Sequence, residues 1–221
     1  MTSRFPDAGA VGAGVFVRDD TPTPEVDRRE AVMASLAGTV RELVDATIRT
    51  TVADDEVHRV RDELAALVDR LRAAQLPGPA GIRYNSEMRA WNWGNAVVGA
   101  ANAIAPPLDV VHGPSGCHAD VVLGAAYEGP PGLVHGGVSA MLLDHIMGVT
   151  ASAMRRTTFT GTLTMRYRRG TPLGPLRLEA SIVREEGRKV FVVASISDAG
   201  GVTVEADGVF IQPAGTPTAD G

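Results

Sequence analysis

Asp144 is the only acidic side chain between Gly129 and Met154, a stretch that reads GPPGLVHGGVSAMLLDHIMGVTASAM. An ionised carboxylate on an otherwise apolar helix is costly unless something pairs with it, so such a group is either a bonded structural carboxylate or a base for proton transfer. His135, Gly136 and Gly137 stand where the first amides of that helix fall. Those amides have no partner inside the helix and lie at the positive end of its dipole, where a developing oxyanion is held. A carboxylate and an oxyanion holder are the two halves of an acyl-transfer site. His145 follows Asp144 directly and points about 100° away around the helix, which assigns it to packing or surface.

Other constellations fail on geometry. Cys117 and His118 are neighbours on a predicted strand and face opposite ways, so they cannot meet as nucleophile and base. Ser139 lacks the glycines of a nucleophile elbow. The order of Gly9, Gly12 and Gly14 is wrong for a dinucleotide loop, and neither HExxH, CxxC nor a phosphate loop occurs. The expectation is neither metal nor nucleoside triphosphate, and no cofactor.

Composition narrows the class. The chain has 221 residues, 44% hydrophobic and 21% charged, with a net charge of −5; that is ordinary for a globular protein, and the sign disfavours non-specific nucleic-acid binding. One cysteine, Cys117, excludes an intrachain disulfide and fits a reducing, cytoplasmic setting. No apolar run reaches the ~18 residues of a membrane span, and the short run Ala8 to Val17 lacks a cleavage site for a secretory signal.

Residues 1–24, rich in Gly, Ala, Thr and Pro, are expected to form a flexible tail. Met33, Leu36, Val40 and Leu43, then Val57, Val60, Leu64, Leu67 and Leu71, fall at three- and four-residue steps and specify two amphipathic helices over about 25–48 and 54–74. The short link between them predicts an antiparallel hairpin, residues 25–77, packed on its own domain or on a sister subunit, or serving as a lid. From 78 to 213 an irregular stretch leads to a strand over Cys117 to Tyr127, the helix after His135, and four strands near Phe159–Arg168, Leu176–Arg184, Lys189–Ser197 and Val202–Gln212. Hairpin turns between them predict an antiparallel meander with the apolar helix across its concave face, an α+β arrangement. Residues 214–221 read as a second tail. Strict alternation turns Thr160 away from Leu163 and Met165, unless a bulge re-aims it.

The run Pro-Pro-Gly-x-Val-His-Gly-Gly-x-x-Ala-x-Leu-Leu-Asp from Pro130 to Asp144, followed by that strand order, resembles the hotdog-fold acyl-CoA thioesterases and their phenylacetyl-CoA branch in particular. The resemblance covers roughly Trp91 to Gln212. It implies a curved antiparallel sheet wrapped around one helix and hydrolysis of an acyl-CoA thioester. Asp144 would act as base or nucleophile, and the Gly136 amide would hold the thioester oxygen beside His135 and Gly137. Thr160, seven residues before Tyr167, would assist water, and Arg166, Arg168 and Arg169 would meet the CoA phosphates. Gly129 stands where some members carry asparagine, and Gly170 where many have proline. Family sites lie between two subunits, which implies a homodimer or a dimer of dimers. The rivals are a non-catalytic acyl-CoA sensor or carrier on the same fold, a hydratase, and an interaction module built on the helical hairpin.

Overall fold

Period-two burial builds the main sheet. A computed structural model describes residues 16–152 and 157–213. Short strands β1 (Phe16–Arg18), β2 (Ile82–Tyr84) and β3 (Ala90–Trp91) form a small sheet. Helix α1 (Thr23–Arg49) and helix α2 (Asp54–Arg72) run between its first two strands in sequence. Strands β4 (Val111–His112), β5 (Gly116–Leu123), β6 (Phe159–Tyr167), β7 (Gly174–Glu186), β8 (Lys189–Asp198) and β9 (Gly201–Ile211) make a six-stranded antiparallel sheet in the order β4-β5-β7-β8-β9-β6. Helix α3 (Gly136–Ala151) follows β5 and a single 3-10 turn, Ala125–Tyr127.

Alternate residues of the central strands turn inward and are buried: Cys117, Ala119, Val121 and Leu123 on β5, Leu176 and Leu178 on β7, Val190, Val192 and Ile196 on β8. They meet Leu142, Leu143, Ile146 and Met147 of α3, each 0% exposed. Gly208 on β9 faces the helix, and a Cβ there would come within 2.7 Å of Met147 Cε and of the Phe210 ring, so both side chains would have to shift. This is the hotdog arrangement, a curved sheet around one apolar helix.

The expected meander is corrected in one respect. β6 pairs with β9, not with β7, and β7 takes the place beside β5. Because α3 crosses the sheet, the chain leaving it begins β6 at the far edge, and the segment 168–173 returns over the end of β9, where the Arg168 amide donates to Thr203 O at 2.8 Å. The Arg168–Leu173 passage also holds the helix entry, as the Val134 amide donates to Thr171 O at 2.8 Å.

The N-terminal part departs further from the reading. Phe16–Arg18, assigned to the tail, pairs in parallel with Ile82–Tyr84; the rest of that tail, and residues 214–221, lie outside the described residues. α1 is anchored by burial of Val26 and Ala37 and by Glu30, which accepts from Trp93 Nε1 at 2.7 Å and from Arg89 at 2.9 Å. α2 follows after a short link, as expected, but buries no residue. The apolar stripes therefore do not close on each other, and Val57, Leu67 and Leu71 stay 44%, 48% and 56% exposed.

Replacing Leu142 by Ala removes a fully enclosed side chain at the helix–sheet contact; the expected loss is about 2–5 kcal/mol, read as a lower urea midpoint at unchanged slope.

Candidate active site

The entry to α3 is built by its capping residue. His135 has φ −60° and ψ 131°, its ring Nδ1 accepts from the Gly137 amide at 2.9 Å, and its carbonyl accepts from Val138 and Ser139 at 2.9 and 3.2 Å. A neutral ring accepting at Nδ1 carries its proton on Nε2. These bonds satisfy three of the first amides and take that of Gly137 away from any ligand. Among the described residues no acceptor meets the Gly136 amide, which stands at the positive end of the helix. Tyr167, at the end of β6, donates its hydroxyl to Gly136 O at 2.9 Å and so fixes the peptide next to that amide. The resemblance used Tyr167 only as a marker for Thr160; its bond to Gly136 depends on tertiary contact and had no signal in the sequence.

The preceding loop is equally constrained. The Gly129 amide donates to Leu133 O, and a Cβ at Gly129 would lie 2.7 Å from His135 Cα. A side chain does not fit there, so the asparagine that some phenylacetyl-type members carry is excluded from this loop by the backbone.

Asp144 lies two turns further along α3, at the rim of the covered face, and is partly exposed. Thr160 donates its hydroxyl to Asp144 Oδ1 at 2.8 Å. The bulge makes this possible: Thr160 pairs with Phe210 and Thr162 with Val209, leaving Gly161 as the extra residue. A Cβ on Gly161 would sit 2.7 Å from Ile211 Cδ1 and 3.2 Å from Val209 O, so the bulge closes on glycine. The structure thus brings together Asp144 and Thr160, and separately His135, Gly136, Gly137 and Tyr167. His145 is partly buried, and burial lowers its pKa against a smaller upward pull from Asp144; its imidazole is neutral at pH 7.

The three arginines are each held by a carboxylate. Arg166 pairs with Asp207, Arg168 with Glu205 at 2.7 Å, and Arg169 with Asp198 at 2.8 Å while also donating to Gly201 O. Hydrogen bonding and charge from Arg169 hold the Asp198 carboxyl well below its usual range, at about 2. A phosphate at these arginines would have to displace the acids. The sequence also missed a thiol–imidazole contact: Cys117 Sγ lies 3.3 Å from His112 Nδ1 across the β4–β5 ladder. The thiol is buried with the core, and the contact satisfies it there.

Two large clefts, of about 650 and 720 Å³, lie elsewhere, one on the sheet near His118 and Arg166 and one between α1 and the Trp91–Trp93 pair. Neither is lined by Asp144, Thr160 or Gly136. Among the described residues no group of His, Cys, Asp and Glu is arranged to hold a metal ion.

The Arg169–Asp198 pair is testable by titration. The Asp198 midpoint, about 2 in the folded protein, is expected to rise toward 3.8 in Arg169→Ala, followed by carboxyl NMR. Since the folded value is depressed, the pair's small contribution to stability is present above pH ~4 and is lost as pH falls toward 2. An unmoved midpoint would leave Arg169 free for a ligand.

Comparison with known proteins agrees with this architecture. Residues 131–205 match the family profile described as the thioesterase superfamily. The chain is 35% identical over 92 residues to acyl-coenzyme A thioesterase THEM4 of Xenopus laevis, covering 40% of this chain and 41% of that protein. It is 32% identical over 92 residues to acyl-coenzyme A thioesterase THEM5 of Mus musculus, covering 40% of this chain and 37% of that one. The match therefore spans well under half the length of these curated relatives. A crystal structure of a thioesterase superfamily protein superposes with a TM-score of 0.73 at 29% identity, over 90% of this chain and 100% of that one. No helix among the described residues is long and apolar enough to cross a membrane. The fold is the hotdog fold, and its residues 131–205 are similar to the thioesterase superfamily.

Proposed function

We propose that the protein is an acyl-CoA thioesterase whose site is completed by a second copy of the chain. The observation that carries this reading is the Thr160–Asp144 bond of 2.8 Å, made across a glycine bulge at the rim of the helix. A hydroxyl that donates to a carboxylate keeps its lone pairs for a water O–H, so the two groups orient one water between them. Asp144 takes a proton from that water as its oxygen adds to the thioester carbonyl carbon. The carbonyl oxygen becomes an oxyanion held by a helix-start amide, that of Gly136, and the tetrahedral adduct collapses as the C–S bond breaks. The departing CoA sulfur takes the proton from Asp144, leaving free acid and thiol. This hydrolysis needs no cofactor.

Spacing supports the two-copy site. Eight residues separate Gly136 from Asp144 on one helix, a rise of about 12 Å, whereas an oxyanion donor must lie about 3 Å from the carbonyl oxygen whose carbon is being attacked. One chain cannot offer both groups to one thioester. Val138, Met141 and Val149 of α3 pack against the core but stay only partly buried, so the apolar helix is incompletely covered within one chain. Relatives named as acyl-coenzyme A thioesterases, together with the resemblance of the motif to the phenylacetyl-type branch, support acyl-CoA, aliphatic or aryl, as the proposed substrate class, with the cytoplasm as the proposed setting. Arg166, Arg168 and Arg169 are the basic residues at the strand end where CoA phosphates would dock, exchanging their present carboxylate partners.

Release of free thiol from short, long and aryl acyl-CoA is the test. Asp144→Asn is expected to lower kcat by about 10²–10⁴-fold, and Thr160→Ala by less. Wild-type rates in Asp144→Asn would sink the base, and tight acyl-CoA binding without thiol release would make the protein a carrier.

Gly136→Pro deletes the donor while suiting the first turn of a helix after an extended His135, and it too is expected to be inactive. Mixing Asp144→Asn with Gly136→Pro chains should restore about a quarter of wild-type activity, since each mixed dimer holds one intact site. A mixture as inactive as its parents would place both groups in one chain.

A further inference from the structure

We infer that α2 is an assembly arm that pairs antiparallel with the α2 of a second copy about a two-fold axis. Val57, Val60, Leu64, Leu67 and Leu71 advance by three and four residues alternately, the spacing of the two seam positions of a heptad. Four of the five are 37–56% exposed, and the helix buries nothing against its own domain. A 19-residue helix standing in water without a packed face is marginal, because most helical stability in proteins comes from burying such a stripe. The stripe therefore calls for a cover that the described residues do not provide.

The charges select the cover. The first turn of α2 is acidic, with Asp54, Asp55 and Glu56, and its last turn is basic, with Arg70 and Arg72. Laid antiparallel on its own copy, each helix sets its acidic start against the other's basic end, at both ends at once; laid parallel, like charges coincide. In the heptad set by Val57 and Val60, Glu56 and Arg70 occupy equivalent positions flanking the seam, while Asp55 and Asp69 fall on the far side and face solvent. Glu56 is bonded to Arg59 in the protomer at 2.8 Å, an exposed contact that adds little and leaves the second carboxylate oxygen open to a partner. A surface whose stripe is apolar and whose ends are complementary to each other fits a two-fold copy of itself. This pairing is independent of the hydrolytic site and stands or falls without it.

Cross-linking decides both partner and direction, since the one native cysteine, Cys117, is buried. Glu56→Cys chains co-expressed with Arg70→Cys chains and oxidised should give a covalent heterodimer, whereas either variant alone should give none, because an antiparallel pair holds identical residues far apart. Adding Leu64→Asp and Leu67→Asp to both chains should abolish the link, while circular dichroism and thiol release report on folding. Cross-linking of either variant alone, a link that survives the seam substitutions, or none from the mixture overturns the proposal. Unlinked chains that sediment with anionic lipid vesicles, or that are held by another protein, would assign the stripe to that partner instead.

Discussion

A helix that is apolar on every side can carry a carboxylate only where the covering layer stops. α3 buries Leu142, Leu143, Ile146 and Met147 completely against the sheet, and Asp144, set between those positions in sequence, emerges at the rim beside the edge strand β6. A charge one step further round would lie under β7 and β8 without a partner, at a cost of several kcal/mol. At the rim it has a hydroxyl from the strand on one side and open space on the other. The same geometry that makes the carboxylate tolerable makes it reachable.

β6 sets both halves of the site at once. It runs so that Thr160, near its start, meets Asp144 in the middle of α3, while Tyr167, at its end, meets Gly136 at the helix entry. The strand's attachment to β9, with one extra residue at Gly161, therefore fixes the Asp144 carboxylate and the Gly136 amide relative to each other. In the proposed enzyme that amide serves the neighbouring copy, so a shift of β6 would disturb two sites together. His135 caps the helix: its Nδ1 accepts from the Gly137 amide, and among the described residues the Gly136 amide is left without an acceptor.

Local periodicity made much of this legible. The apolar helix, the alternation of β5 and of β7 through β9, and Asp144 as the misfit carboxylate all follow from short-range pattern, which reports which side of an element is buried. The neighbour on that side is a long-range matter. For that reason the placement of β6 beside β9, the Cys117–His112 contact across two strands, and the carboxylates that hold Arg166, Arg168 and Arg169 were not readable. Thr160 is instructive here, because alternation alone turned it away and one unpaired glycine brought it to Asp144. Bulges disturb the period by a single residue, and a sequence in which Thr, Gly and Thr succeed one another gives no sign of which one is skipped.

The two N-terminal helices mark the other limit. Their stripes read equally well as a closed hairpin, and nothing local distinguishes a stripe that meets its neighbour from one that meets a different molecule. What differs is anchoring: Glu30 on α1 is held by Trp93 and Arg89, whereas among the described residues the ion pairs of α2 lie within itself, such as Arg59 with Glu56. Exposed pairs of that kind add at most about 1 kcal/mol each, while an exposed apolar stripe forgoes about 25 cal/mol for every Å² left in water. Polar bonding thus fixes α1 to the domain, whereas the apolar stripe of α2 stays unburied among the described residues, and the inferred pairing of α2 rests on that difference.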